Sequence, residues 1–192
     1  MILLGTIASS LLQNVDNGVM DPLQVITIGP TSASSITFTN IPSTYAHLQL
    51  RIMALGTGST AVNGFNCQAN GDTGNNYSRH LVQGYGSGVD AYGIANTDRF
   101  QFFGYRGGLR DTYPTVAVID FLDYSNTNKY KTARGLAGND FNGNATPVTG
   151  EIQLSSGLWM NTNAISSLSV YISGSSFTQY SQFALYGIKA AA

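Results

Sequence analysis

The chain has 192 residues and a mass of 20.4 kDa; 43% of its residues are apolar, 11% aromatic and only 10% charged, and its net charge is −1. That balance excludes the electrostatic footprint of a nucleic-acid or anionic-membrane binder, and the apolar content excludes a disordered chain. Soluble domains carry about 25% charged residues, so this Ser/Thr/Asn/Gly/Tyr-rich surface repels its neighbours weakly and suits a subunit packed among others. Cys67 is the single cysteine and His47 and His80 are the only histidines. A disulfide within the chain and a zinc centre are thereby ruled out, and no cofactor is expected.

In chain order, the first element is "MILLGTIASSLLQNVDNG", an apolar stretch with no Lys or Arg before Arg51. Without a basic region it does not read as a secretory signal, and it is too short and interrupted to span a bilayer. It reads as an apolar arm over residues 1–21, with at most a turn or two of helix within Thr6–Gln13. Chain ends fray unless held. Ile2, Leu3, Leu4, Ile7, Leu11 and Leu12 are therefore expected to lie on a sheet or a neighbouring subunit.

Residues 22–192 read as one domain of short strands between Gly/Asn/Asp/Ser/Pro clusters. The predicted strands are Leu23–Ile28, Ser35–Ile41, Ala46–Ala54, Gly64–Ala69, Tyr77–Gly84, Arg99–Tyr105, Thr115–Tyr124, Tyr130–Ala137, Thr149–Leu154, Leu168–Ser173 and Ser181–Ile188. Ile36, Phe38, Leu48, Leu50 and Ile52 fall on inward faces by alternation. Thr115–Leu122 is apolar on both faces and is expected to be a central strand. With no helical period in this span, the pattern predicts an all-β fold: an antiparallel β-sandwich of jelly-roll type. An immunoglobulin sandwich fits less well, because the chain is too long and lacks its cysteines and their tryptophan.

Chemistry is sparse. In "DFNGNATPVTGE", Asp140, Asn142, Asn144 and Glu151 occupy positions 1, 3, 5 and 12 of a calcium loop. Ala145 stands where the sharp turn needs glycine, however, and Pro147 stiffens the second half, so a turn is the better reading and no metal is expected. "NGDTGNN" (Asn70–Asn76) reads as a hairpin loop before it reads as a calcium or sugar site. Asp120 and Asp123, three apart, point to opposite faces of a strand and make no hydrolytic pair. "GYGSG" (Gly84–Gly88) has the glycines of a nucleophile elbow without the strand-to-helix turn, and "GYRGG" (Gly104–Gly108) opens no helix that would cradle phosphate. No enzyme is expected. Tyr77, Tyr85, Tyr92, Tyr105 and Tyr113, beside Asn, Asp and Gly, are candidate loops for a receptor, a glycan or a protein partner.

Three stretches taken together resemble a group of structural proteins of tailed bacteriophages. They are "SITFTNIPSTYAHLQLRIMA" (Ser35–Ala54), "NGDTGNNYSRHLVQGYGSG" (Asn70–Gly88) and "FTQYSQFALYGIK" (Phe177–Lys189), in that order and bracketing about 150 residues. The resemblance leaves Met1–Asp21 and Asp90–Asn163 unaccounted for. It implies a virion protein on the phage particle surface, foremost a capsid decoration or cement protein, oligomeric as a trimer or dimer, with the major capsid protein or other virion proteins as partners. The rival it implies is a receptor- or carbohydrate-binding domain of a tail fibre. Deleting Met1–Asn14 is predicted to leave a folded domain that assembles more weakly with its lattice or sister subunits; co-sedimentation equal to that of the full chain would remove the arm from the assembly.

Overall fold

The computed structural model describes residues 18–57, 64–104, 109–142 and 150–190. Twelve strands and no helices occupy the described residues. They are β1 (Met20–Thr27), β2 (Ser35–Phe38), β3 (His47–Ala54), β4 (Phe65–Ala69), β5 (Tyr77–Tyr85) and β6 (Gly88–Thr97), then β7 (Phe100–Gln101), β8 (Thr115–Leu122), β9 (Lys131–Asp140), β10 (Gly150–Trp159), β11 (Leu168–Ile172) and β12 (Gln182–Ile188). All pairings are antiparallel. One sheet has eight strands in the order β1-β12-β3-β8-β9-β10-β5-β6, the other four in the order β2-β11-β4-β7.

Eight strands alternate between the sheets as the chain proceeds, save that β4 and β7 lie side by side in one sheet: β1, β3, β8 and β12 in the larger, β2, β4, β7 and β11 in the smaller. This alternation is the winding of a jelly roll. The other four strands are two inserted hairpins. β5–β6 follows β4 and β9–β10 follows β8, and both join the larger sheet beyond β8 as a wing, β9-β10-β5-β6. The arm residues Ile2, Leu3, Leu4, Ile7, Leu11 and Leu12 lie outside the described residues; β1 begins at Met20, two residues before the expected domain boundary.

Alternation places the core. Ile36, Phe38, Leu48, Leu50 and Ile52 are buried as their period predicts; Leu168, Val170 and Ile172 lie beside Ile36 and Phe38 in the small sheet, opposite the large sheet that carries Leu48, Leu50 and Ile52. Aromatic side chains fill the space between: Phe100 lies 5.6 Å from Phe102, and Phe177 meets Phe183 edge-on at 4.6 Å. Fully burying one such ring stabilises by about 1.5–3 kcal/mol. Where the wing leaves the roll, Phe100 and Phe102 press on Gly157 and Gly135. A Cβ there would stand 2.5 and 2.8 Å from those rings, so only glycine admits the contact.

The Asn70–Asn76 stretch is a structural buckle. Asn70 and Gly71 both take positive φ, the signature of a type I′ turn, closed by Asp72 N–H donating to Ala69 O at 2.9 Å. Asn70 Oδ1 accepts from the backbone of Ser166 and Ser167, and its Nδ2 donates to Ala164 O. The Asp72 carboxylate accepts from Asn76 Nδ2 at 2.9 Å, Gly74 N at 2.8 Å and Trp159 Nε1 at 2.8 Å. The Asn70 amide and the Asp72 carboxylate are thus committed to structural hydrogen bonds.

Lys131 is a second polar anchor. Its buried ammonium donates to the carbonyls of Asn126, Lys129 and Thr162 at 2.6, 2.8 and 2.9 Å, which spends all three of its donors. Burial pushes its pKa down.

The donors around Asp72, Asn76 first, hold its carboxyl below the usual range against the opposing pull of desolvation. A depressed folded-state value means stability that is complete above the unfolded pKa of about 3.9 and lost as pH falls through the folded value. Asp72→Ala is predicted to lower stability by about 2 kcal/mol at neutral pH, the scale of hydrogen bonds to a charged group. The gap between variant and wild type should narrow in urea unfolding well below the unfolded pKa; a gap independent of pH would show that the ionised carboxylate is not the source.

Candidate assembly surface

β8 is central in its sheet, as predicted, but only one of its faces is covered. Thr115, Ala117, Ile119 and Phe121 are buried, while Val116 and Val118 stand in the open on the outer face. The reason is physical: a strand apolar on both faces can be buried on one side by its own core and left open on the other for something else.

The register shows how far that open surface extends. One cross-strand row runs Val25, Ala184, Arg51, Val118, Leu136, Leu154, Val82 and Ala91, through every strand of the larger sheet. The next runs Thr27, Gln182, Met53, Val116, Gly138, Ile152, Gly84 and Val89. Val116, Leu136, Ile152 and Leu154 are each more than half exposed. With strands ~4.8 Å apart and same-face residues ~6.8 Å apart, two rows across six strands make a patch on the order of 400 Å². Exposed apolar patches of this size are often functional. Between Val116 and Ile152 the row holds Gly138, and a shallow recess of about 520 Å³ opens there, with Leu136 and Val118 on its walls.

A third row is polar: Tyr186, Gln49, Asp120, Arg134, Ser156 and His80. Asp120 accepts from Gln49 Nε2 at 2.9 Å. His80 stands opposite Ser156, but Asp120 is three strands away at ~14 Å, too far to orient the imidazole. His47 is occupied elsewhere: its Nδ1 accepts from Asp123 N–H at 3.0 Å, beside the Asp123–Lys129 ion pair. Cys67 is buried in β4, and burial pushes its thiol pKa up, away from thiolate chemistry.

Over part of the wing, beside the apolar side chains of Leu81, Ala133, Ala137 and Trp159, the usual polarity of a sandwich is reversed. Its inner face carries Arg79, Gln83, Glu151, Gln153 and Ser155, all buried, while its outer face carries Val82, Leu136, Ile152 and Leu154. Gln153 donates to Ser155 Oγ at 2.6 Å, and Arg79 donates to Tyr92 OH at 2.7 Å with its guanidinium over the same ring.

The candidate loop tyrosines do not form a platform. Tyr77 is a correction: it is fully buried at the start of β5, stacked on Trp159 with centroids 6.0 Å apart, and its hydroxyl donates to Asp72 O. The Asn/Gly loop before it suggested exposure, but alternation carries its ring inward. Tyr92 is held by Arg79 on β6, and Tyr113 packs on Phe141 at 5.4 Å. Tyr85 borders the β5–β6 turn, and Tyr105 lies outside the described residues.

The calcium ligands do not converge either. Asp140 accepts from Asn142 N–H at 2.7 Å as an exposed turn, whereas Glu151, one register row further on, is buried on the other face. Asn144 lies outside the described residues. Among the described residues, no three His, Cys, Asp or Glu side chains gather as metal ligands. No protein-family model matches the chain, and no curated protein is significantly similar to it.

Proposed function

We propose that the chain is a non-enzymatic structural subunit of a tailed-phage virion, foremost a capsid decoration protein that stabilises the head. In this reading it lays the outer face of its eight-stranded sheet on the capsid lattice or on neighbouring virion proteins at the particle surface. One observation carries the reading: around Glu151–Ser155 the wing buries polar side chains on its inner face and leaves Val82, Leu136, Ile152 and Leu154 exposed on its outer face. Folding alone favours the opposite arrangement, so the apolar side is suited to burial in an assembly. Covering ~400 Å² at ~25 cal/mol per Å² contributes about 10 kcal/mol gross. Association opposes this with about 4–15 kcal/mol, so one such patch binds weakly by itself and firmly when joined by further contacts. That is the energetic profile of a lattice subunit.

A receptor- or glycan-binding domain of a tail fibre is the second reading. In its favour is a polar recess of about 360 Å³ lined by Asn75, Arg79, Asn96, Asp98, Arg99 and Gln101. Among the described residues no aromatic side chain lines it, so it lacks the flat exposed ring on which a sugar stacks.

Purified protein mixed with undecorated phage heads is predicted to co-sediment in fixed stoichiometry. The double variant Leu136→Asp/Leu154→Asp should keep its thermal midpoint within a few degrees and lose more than tenfold in head binding. A wild-type protein that ignores heads, or a double variant that binds as well as wild type, overturns the reading; a glycan array then tests the fibre alternative.

A further inference from the structure

The two sheets end in four edge strands, and three of them are blunted. β1 carries Pro22 and a register shift between Pro22 and Gln24. β2 has four residues and β7 two. Short strands, proline and bulges are the devices that stop a sheet edge from pairing with another chain.

β6 has none of them along most of its length. It is ten residues long, without Pro, Lys or Arg. Its one charged side chain, Asp90, is turned to the inner face, where it accepts from Gln83 Nε2 at 3.4 Å. Its register shift comes late, between the pairs Tyr77–Thr97 and Arg79–Ile94, where Asn96 takes a positive φ. Gly88–Ile94 is therefore a regular edge, with Val89 74% exposed and Ala91 exposed beside it.

We propose that β6 is a self-pairing edge: Gly88–Ile94 adds antiparallel to the same segment of a second copy about a two-fold axis. Two eight-stranded sheets become one of sixteen strands. A second copy fits this edge for two reasons. An antiparallel strand pair is its own two-fold complement, so one edge supplies both halves of the contact. The first apolar row also ends on β6 at Ala91, the centre of the segment, so pairing about that residue makes this row continuous across the two copies. The inference deepens the assembly reading and rests on it for its purpose, but it stands on a different strand from the face that carries that reading.

The test uses the full chain in sedimentation equilibrium at micromolar concentrations, with Val89→Lys/Ala91→Lys placing two lysines on the exposed side of the edge. The wild type is expected at twice the 20.4 kDa chain mass and the lysine variant at the chain mass, with thermal midpoints within a few degrees. Amides of Gly88–Ile94 should exchange more than tenfold faster in the variant. Val89→Lys alone serves as the second variant if the pair disturbs folding. A monomeric or trimeric wild type, or lysine variants that still dimerise, overturns the inference. So does a dimer abolished by Leu136→Asp/Leu154→Asp rather than by the lysines. Dimers that ignore phage heads would remove the virion reading and leave the edge pairing standing; monomers that bind heads would do the reverse.

Discussion

A sheet of eight strands faces a sheet of four, and the surplus governs the rest of the molecule. The four-stranded sheet can cover only the jelly-roll portion, so the wing must be held by other means. On its inner side the means is a close contact: Phe100 and Phe102, leaving the last strand of the small sheet, settle on Gly157 and Gly135. Any larger residue at either glycine would lift the rings and loosen the wing from the roll. Beyond those rings the inner side of the wing carries buried polar side chains, where Gln153 donates to Ser155 and Gln83 to Asp90 while the Oε1 atoms of both glutamines lack a hydrogen-bond partner among the described residues. Such packing fixes geometry well and contributes modest net stability.

The same division explains the polar anchors. A strand that passes from the small sheet to the wing must turn sharply at Asn70–Asn76 and still hold its neighbours. The carboxylate of Asp72 does this by collecting donors from its own loop and from Trp159 at the end of β10. Lys131 ties the β8–β9 turn to the chain after β10 through three carbonyls. The Asn70–Asn76 motif, which resembles a ligand site in isolation, is thus used up in joining a hairpin to the roll.

The outer face of the larger sheet is then a broad apolar surface for which the fold itself supplies no cover. Its apolar rows cross from roll to wing without a break, which only a continuous ladder from β3 to β6 permits. Weak mutual repulsion from a nearly neutral surface suits close packing of many copies. The reading as a virion subunit draws on this face and on the likeness of three sequence stretches to phage structural proteins; the edge at β6 concerns how copies meet one another.

Local alternation by itself determined the all-β class, eleven of the strands and the inward residues of β2, β3 and β11, because the two-residue period of a strand is written in neighbouring side chains. It passed over β6, whose glycines, alanines and asparagine have low strand propensity and are held by pairing with β5. Tyr77, the first residue of a predicted strand, is a partner candidate by sequence because Asn and Gly precede it, yet the strand turns its ring into the core. Val116 and Val118 show the same limit from the other side: sequence declares a side chain apolar, but only the assembled sheets decide whether anything covers it. Burial is a property of partners distant in the chain, and the surplus of eight strands over four, from which the candidate surface arises, exists only once the two hairpins have paired.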